Sequence, residues 1–218
     1  MDRARTLILS KFSSYAVASA VSRVNLSIQR ELKSEIIRKV IHFLIALSPS
    51  IAAINRPLTV FLLLFGTLSY TLMEYLRLCG IKVPIVSSIT SMASRKRETG
   101  RFVIGPVTLG FGALLALLFY PSNAAAIAIY ALAFGDGIAS LVGRFFGRIR
   151  PAFLLGKSIE GSFACFVVVF FCAYSVSNNI QIAFAAALTA MVVEALPLKD
   201  YDNLAIPVMV GLAVQLAA

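Results

Sequence analysis

Acidic residues are scarce in this chain, and their positions indicate where chemistry could take place. The 218 residues include only 10 Asp and Glu, and six of these lie inside or at the ends of apolar stretches. A carboxylate in such a place is costly to bury and is usually functional. It can bind a metal ion or exchange a proton with a substrate. The six are Glu74, Asp136, Glu160, Glu194, Asp200 and Asp202.

A polar stripe leads into the first apolar stretch. Glu35, Arg38, Lys39 and His42 are spaced i, i+3, i+4 and i+7, which places them on one face of a helix. His42 is the single histidine of the sequence. Its imidazole could transfer a proton to or from a hydroxyl, and the alternative is a hydrogen-bonding role or a contact with phosphate.

Glycines flank two of the charged positions. Gly135 and Gly137 bracket Asp136, where the backbone must approach a neighbour closely or the helix must break. A Gly-Lys-Ser tripeptide centred on Lys157 resembles the end of a phosphate-binding P-loop, but Pro151 stands where that motif needs a glycine. Lys157 and the first-turn amides of the next helix could still hold a phosphate.

Together these side chains are the parts that phosphoryl or nucleotidyl transfer requires. Carboxylate and amide oxygens are ligands for Mg²⁺, and cationic side chains stabilise phosphate charge. The predicted Mg²⁺ ligands are Asp136, Asp202 and Asn203, and the predicted phosphate contacts are Lys157, Arg38 and Arg144.

The elements that position these residues are predicted to be membrane-spanning helices. Hydrophobic residues make up 59% of the chain and charged residues 14%, against about a quarter charged in a soluble domain. Mean hydropathy is +0.88. An all-α polytopic membrane protein explains this composition, since faces that contact lipid are also apolar. The predicted spans are Val40–Ile54, Pro57–Leu76, Phe102–Tyr120, Asn123–Val142, Ile159–Val176, Ile180–Pro197 and Leu204–Ala218.

The positively charged residues are concentrated in the loops on one side of these seven predicted spans. Of the 20 Lys and Arg residues, only Arg56 falls in the loops on the opposite side. The positive-inside rule therefore predicts a cytoplasmic N-terminus. The six acids fall toward the same half, so the predicted active site is cytoplasmic. Topology also accounts for the net charge of +10, and no nucleic-acid partner is expected.

A change in composition along the chain, from a basic N-terminal segment to apolar stretches, predicts two domains. Residues 1–34 are predicted to form a basic amphipathic helix on the membrane surface, with a cleaved targeting segment as the alternative because Ala18-Ser-Ala20 resembles a cleavage site. Residues 35–218 are the predicted transmembrane catalytic domain. The Pro84–Ser94 stretch is interpreted as a second, shorter interfacial helix.

The motifs, taken in order, resemble those of the CTP-dependent lipid kinases. That family includes dolichol kinase, phytol kinase and the CTP-dependent diacylglycerol kinase, within a wider superfamily that also holds phosphatidate cytidylyltransferase. The motifs are Glu35-x-x-Arg-Lys-x-x-His42, Glu74-x-x-Arg77, Gly135-Asp-x-x-Ala-Ser140, Lys157-Ser-x-Glu-Gly-Ser162 and Glu194-x-Leu-Pro with Asp202-Asn-x-x-x-Pro207.

The resemblance implies transfer of the CTP γ-phosphate to a membrane lipid alcohol with Mg²⁺, in a bacterial inner membrane or an endoplasmic-reticulum-type membrane. The partners implied are CTP, the lipid alcohol and the bilayer, and a homodimer is compatible with them. The expected catalytic residues are Asp136, Lys157, His42 and Glu160; the expected substrate or nucleotide residues are Arg38, Lys39, Arg144, Ser158, Glu74 and Glu194; the expected metal ligands are Asp136, Asp202 and Asn203.

Two other functions are weighed against the kinase. Phosphatidate cytidylyltransferases typically end in a long signature with Pro-Gly-His-Gly-Gly, whereas this chain has Lys199-Asp200 without it. A small membrane transporter is the second alternative. It would place charge pairs at the bilayer midplane, whereas the acids here cluster at one end apart from Asp136, and no inverted repeat is apparent.

Overall fold

The structure is a computed structural model that describes residue 29, residues 33–81 and residues 100–218. These residues form helices joined by short connections, and no β-strand occurs among them. The predicted surface helix of residues 1–34 lies outside the described ranges apart from Gln29, Lys33 and Ser34. The predicted interfacial helix Pro84–Ser94 lies wholly outside them.

Eight α-helices and one π-helical segment make up most of the described chain, with 3-10 turns at Ile45–Leu47, Ala152–Leu154 and Lys199–Tyr201. The elements are α1 (residues 33–44), α2 (Ser48–Leu78), α3 (Gly105–Phe119), α4 (Ser122–Tyr130), a π-helix (Ala131–Asp136), α5 (Gly137–Phe145), α6 (Ile159–Ser177), α7 (Ile180–Ala195) and α8 (Asp202–Ala217).

Three helical runs among the described residues are long and apolar enough to cross a membrane. They are Lys33–Leu78, Ser122–Phe145 and Ile159–Ser177, and Gly105–Phe119 and Ile180–Ala195 are shorter apolar helices. The prediction of an all-helical membrane protein is therefore confirmed at this level. The count of seven spans stays a prediction.

The first of these runs reverses direction at Asn55. Asn55 has φ −151° and ψ 94°, which interrupts the helix. Near the start of the run Glu35 accepts a hydrogen bond from Ser140 of α5, and near its end Glu74 accepts one from Val103, just before α3. The start of α3 and the end of α5 lie at the same end of the bundle, because a tight turn joins α3 to α4. The run therefore leaves that end, turns at Asn55 and returns.

The bundle accordingly has two distinct ends. The one that holds the start of α1, the end of α5 and the starts of α6 and α8 is called the charged end below. The one that holds Asn55 and the turn between α3 and α4 is called the Asn55 end.

Helices α4 and α5, with the π-helix between them, form the central rod of the bundle. The rod packs against α2, α3, α6 and α8. Ile127, Ile129 and Leu132 on it are fully buried. A helix that is apolar all round is typical of an element enclosed by others. The rod carries Asp136 at its π-helical segment, so the buried centre of the fold positions this carboxylate.

The glycines beside Asp136 permit close packing, as their spacing predicts. A Cβ on Gly135 would lie 2.8 Å from Val169 Cγ2 of α6, and a Cβ on Gly137 would lie 2.5 Å from Phe43 Cε1 of α1. A side chain at either glycine would therefore force Val169 or Phe43 to move. Asp136 is therefore held between two helices that contact the backbone on either side of it.

Candidate functional site

A polar cavity of about 420 Å³ opens at the charged end. Its size falls within the range of small-molecule sites. Six cations and five acids line it, contributed by α1, the π-helix, α5, the loop before α6, the end of α7, the 3-10 turn that follows it and the start of α8. The lining residues are Glu35, Arg38, Lys39, Asp136, Ala139, Ser140, Gly143, Arg144, Arg150, Gly156, Lys157, Glu194, Lys199, Asp200, Asp202 and Asn203.

Asp136 lies at the inner wall of the polar cavity in contact with two residues of the predicted stripe. Its Oδ2 is 3.1 Å from Lys39 Nζ and 3.1 Å from His42 Nε2. Lys39 Nζ also donates to the Asp136 carbonyl oxygen at 3.4 Å. All three residues are more than nine-tenths buried. A buried charge is tolerated only when it is paired. These contacts therefore fasten α1 to the π-helix and also place fixed charges in the site.

His42 faces two acceptors through the same nitrogen. Its Nε2 is 3.0 Å from the Leu132 carbonyl oxygen as well as 3.1 Å from Asp136 Oδ2. A carbonyl oxygen accepts only, so Nε2 must carry a hydrogen in this arrangement. Of the two roles weighed from sequence, the geometry favours hydrogen bonding over proton acceptance at Nε2.

Glu35 gathers a second group of side chains at the α1–α5 wall of the cavity. Its Oε1 accepts a hydrogen bond of 2.9 Å from Ser140, and its Oε2 lies 3.6 Å from Arg38 and 3.8 Å from Arg144. The carboxylate thus holds two guanidinium groups beside the cavity. Guanidinium groups arranged in this way suit phosphate recognition.

Lys157, in the loop before α6, contacts both α7 and α8. Its Nζ donates to the carbonyl oxygen of Glu194 and lies 3.4 Å from the Oε1 of that residue and 3.6 Å from Asp202 Oδ2. Ser162, one turn into α6, donates to Glu194 Oε2 at 2.9 Å. Lys157 therefore orders the end of α7 and the start of α8 and also places a positive charge in the cavity.

Asp202 is the second carboxylate that fits a metal-binding role. It precedes the predicted span Leu204–Ala218, and burial, followed by the negative charge of Asp136, raises the pKa of its carboxyl to about 7. A cation bound beside Asp136 and Asp202 would favour the ionised form of both carboxylates.

The donor set at this place fits Mg²⁺ when phosphate completes it. No three His, Cys, Asp or Glu side chains of residues 33–81 and 100–218 are grouped to hold a metal by themselves. Mg²⁺ usually takes one or two carboxylates together with substrate phosphates and water. Asp136, Asp202 and Asn203 all line the one cavity.

Two of the predicted residues at the start of α6, Ser158 and Glu160, serve the loop that precedes this helix. Ser158 begins α6 as its N-cap, and its Oγ accepts the Gly161 amide at 3.1 Å. Glu160 Oε1 accepts the amides of Arg148 at 2.9 Å and of Ile149 at 3.0 Å. Neither side chain lines the polar cavity. Their contacts fold the loop so that Lys157 reaches the cavity.

Glu74 lies apart from the polar cavity. It is fully buried, receives two hydrogen bonds from Arg77 at 2.8 and 2.7 Å, and accepts the Val103 amide at 2.9 Å. Arg77 also donates to the Arg101 carbonyl oxygen. This pair fastens the end of α2 to the residues before α3. A contact between Glu74 and a nucleotide receives no support from this geometry.

Arg150, Lys199 and Ser140 line the cavity although they are not among the predicted site residues. Arg150 donates to the Gly143 carbonyl oxygen at 2.5 Å and to the Gly156 carbonyl oxygen at 2.6 Å. Ser140 follows Asp136 by four residues, so helical spacing could have indicated it. Arg150 and Lys199 lie in connections between helices, where no periodicity could have identified them.

Comparison with known proteins finds distant relatives. The chain is 27% identical over 147 residues to CTP-dependent diacylglycerol kinase 1 of Eremothecium gossypii, which covers 56% of this chain and 46% of the relative. It is 25% identical over 156 residues to the chloroplastic phytol kinase 1 of Arabidopsis thaliana, covering 63% of this chain and 51% of the relative. An uncharacterised protein of Rickettsia prowazekii is 28% identical over 182 residues, 78% of this chain and 88% of its own length.

The chain spans about half the length of the two kinases. No family model matches the chain, and no solved structure matches it. The names of the two kinases nonetheless agree with the family that the five ordered motifs predict. The chain is therefore a distant relative of CTP-dependent lipid kinases, as the motifs between Glu35 and Pro207 predict.

Proposed function

We propose that this protein transfers the γ-phosphoryl group of CTP to the hydroxyl group of a membrane lipid alcohol. The acceptor is an isoprenoid alcohol such as dolichol, polyprenol or phytol, or a diacylglycerol. The observation that carries the proposal is the polar cavity, where Lys157, Arg38 and Arg144 lie with Asp136 and Asp202 at one end of an apolar bundle. The names of the two kinase relatives support the same reaction.

The cavity contains the charges that phosphoryl transfer needs. The lipid hydroxyl oxygen forms a bond to the γ-phosphorus, the bond from that phosphorus to the β–γ bridging oxygen breaks, CDP leaves, and the hydroxyl proton passes to a carboxylate of the cavity. Protein groups act in such a reaction mainly by positioning and charge stabilisation. Lys157 and the guanidinium pair held by Glu35 supply positive charge for the phosphates.

Mg²⁺ is the proposed metal, with Asp136, Asp202 and Asn203 as the residues that hold it. Bound there with the nucleotide, it would neutralise phosphate charge. The Asp136 carboxylate is oriented for this by Lys39 and His42, and Asp202 by Lys157. These contacts hold the carboxylates in place before a ligand arrives.

The site at the charged end suits a reaction between a soluble and a lipid substrate. The helices beside it expose apolar side chains such as Ile36, Val40 and Leu44, which are 52%, 54% and 59% exposed. Lipid covers such faces in a membrane protein. A lipid hydroxyl at the headgroup level can therefore approach a nucleotide in the cavity. We place this end on the cytoplasmic side, following the distribution of positive charge.

The test uses purified protein in detergent with CTP, Mg²⁺ and a panel of lipid alcohols. CTP labelled on the γ-phosphate and CTP labelled on the α-phosphate are supplied in parallel. Label that reaches the lipid only from γ-labelled CTP, with CDP as the other product, supports the kinase. Phosphatidate is included in the panel as a lipid phosphate, and label that reaches it only from α-labelled CTP, with release of pyrophosphate, establishes a cytidylyltransferase instead. The same panel run with ATP and with GTP shows which nucleotide is the phosphoryl donor.

A further inference from the structure

The amide of Asn203 is bound to α3 through its nitrogen. Nδ2 donates to the Gly105 carbonyl oxygen at 3.3 Å and to Thr108 Oγ1 at 3.0 Å. An Asn amide has two N–H donors and one carbonyl oxygen. Both donors are therefore used on α3, and Oδ1 is the atom of this side chain that remains to meet a ligand.

Thr108 determines this orientation because its own hydrogen is already used. Its Oγ1 donates to the Gly105 carbonyl oxygen at 2.9 Å, within the first turn of α3. The hydroxyl oxygen can then only accept, so it must face the Asn203 nitrogen and not the Asn203 oxygen. Thr108 is 4% exposed, so water does not compete for these bonds.

A second contact between α3 and α8 supports the same arrangement. Gly112 lies one turn after Thr108, and a Cβ at this position would overlap the Asn203 carbonyl oxygen and lie 3.1 Å from Pro207 Cγ. The obstacle is backbone, which cannot move aside cheaply. Helix α3 therefore fixes both the backbone and the side chain of Asn203.

We infer that Thr108 is a positioning residue that turns Asn203 Oδ1 into the polar cavity. Its role rests on the proposed function, in which Asn203 binds the divalent cation that accompanies the nucleotide. A group that orients a metal ligand typically changes metal affinity by about tenfold to a hundredfold when it is removed. We expect the loss of the Thr108 hydroxyl to have an effect of that size.

The experiment compares three variants in detergent. T108V removes the hydroxyl with little change of shape, and T108S keeps the hydroxyl. T59V is the matched control, because Thr59 is 2% exposed and donates to a carbonyl of its own helix at Asn55, far from the cavity. Binding of Mn²⁺ in the presence of CDP is followed by electron paramagnetic resonance, and the Mg²⁺ concentration for half-maximal turnover is measured separately. Thermal unfolding reports the stability of each variant.

The expected result is Mn²⁺ binding at least about tenfold weaker in T108V than in T59V, with T108S close to wild type. Equal Mn²⁺ affinity in T108V and wild type, or no Mn²⁺ binding by wild type, overturns the inference. Failure of the proposed function is a separate outcome, since wild type would then transfer no phosphoryl group to any lipid. The Mn²⁺ measurement still decides the role of Thr108 in that case.

Discussion

The two ends of the bundle use arginine differently. At the charged end, Arg38 and Arg144 lie beside the Glu35 carboxylate and line the polar cavity. At the Asn55 end, Arg56 donates to the carbonyl oxygens of Leu117 and, at 2.7 Å, Tyr120. These carbonyls lie at the end of α3, where helical partners run out. The Arg56 guanidinium therefore satisfies the last carbonyls of a helix, whereas the other two are held beside one carboxylate at a place where phosphate could bind.

A cavity also exists at the Asn55 end, and its lining sharpens the difference. It has a volume of about 260 Å³ and is bordered by Ser50, Arg56, Asn123 and Tyr130 among other residues. No carboxylate occurs among the described residues that line it. A bundle end with a cavity and a cation therefore does not suffice for the proposed chemistry. Carboxylates that orient cations, with Asp136 and Asp202 as the proposed metal ligands, are the parts that distinguish the charged end.

The largest effect is expected from the two carboxylates of the polar cavity. Asp136→Asn and Asp202→Asn each remove a charge that the proposed metal requires, and each should lower turnover by at least about a hundredfold. Turnover is measured as label transferred from γ-labelled CTP to the lipid alcohol.

Folding of these two variants is checked by detergent gel filtration and thermal unfolding. Asparagine keeps an oxygen that can accept from Lys39 or Lys157, so both variants should remain folded. Turnover equal to that of wild type in both variants would contradict the assignment of Asp136 and Asp202 as metal ligands. A folded but inactive D202N protein keeps the test decisive if D136N is unstable.

Lys157→Ala should have the next largest effect, chiefly on the use of CTP. Loss of a charged donor to phosphate is expected to raise the KM for CTP by about tenfold to a hundredfold. The measurement is steady-state turnover at varied CTP and saturating lipid. An unchanged KM for CTP would count against the phosphate role of Lys157 and would leave only its joining of α7 to α8.

His42 variants separate hydrogen bonding from proton transfer. Gln carries an N–H donor at a similar reach to imidazole Nε2, so His42→Gln should keep most of the turnover, whereas His42→Ala should lose about tenfold. The pH profile of turnover should have the same shape in wild type and H42Q. An equal, large loss in both variants with an altered profile would favour the proton-transfer role.

The smallest effect on turnover is expected at the Asn55 end. Arg56→Gln removes donors to the last carbonyls of α3, so it should lower the free energy of unfolding by about 1–3 kcal/mol. Below the unfolding temperature, the kcat and the KM for CTP should equal those of wild type. A loss of turnover without loss of thermal stability would contradict the structural role of Arg56.

The helical architecture and much of the candidate site could be predicted from the sequence. Reversal of the chain near Asn55 follows from the break between the predicted spans Val40–Ile54 and Pro57–Leu76. The stripe of Glu35, Arg38 and Lys39 follows from helical periodicity. These features depend on local spacing and on hydropathy, which the sequence displays directly.

Contacts between distant segments could not be predicted in this way. Glu74 and Glu160 have the residue type and the position of site residues, yet their carboxylates are occupied by backbone amides of neighbouring segments. Thr108 shows the reverse, because nothing in its own sequence context indicates that it bonds Asn203. Which group a polar side chain meets is decided by helix packing, which spacing within one helix does not report.

The most direct test of the contrast between the two ends is transfer of label from γ-labelled CTP to a lipid alcohol by three proteins side by side. Wild type, R56Q and D136N are purified in the same detergent and assayed with Mg²⁺ and the best acceptor of the panel. Labelled lipid from wild type and R56Q but not from D136N is the predicted result. No labelled lipid from wild type with any acceptor, or equal labelling by D136N, would contradict the assignment of phosphoryl transfer to the charged end.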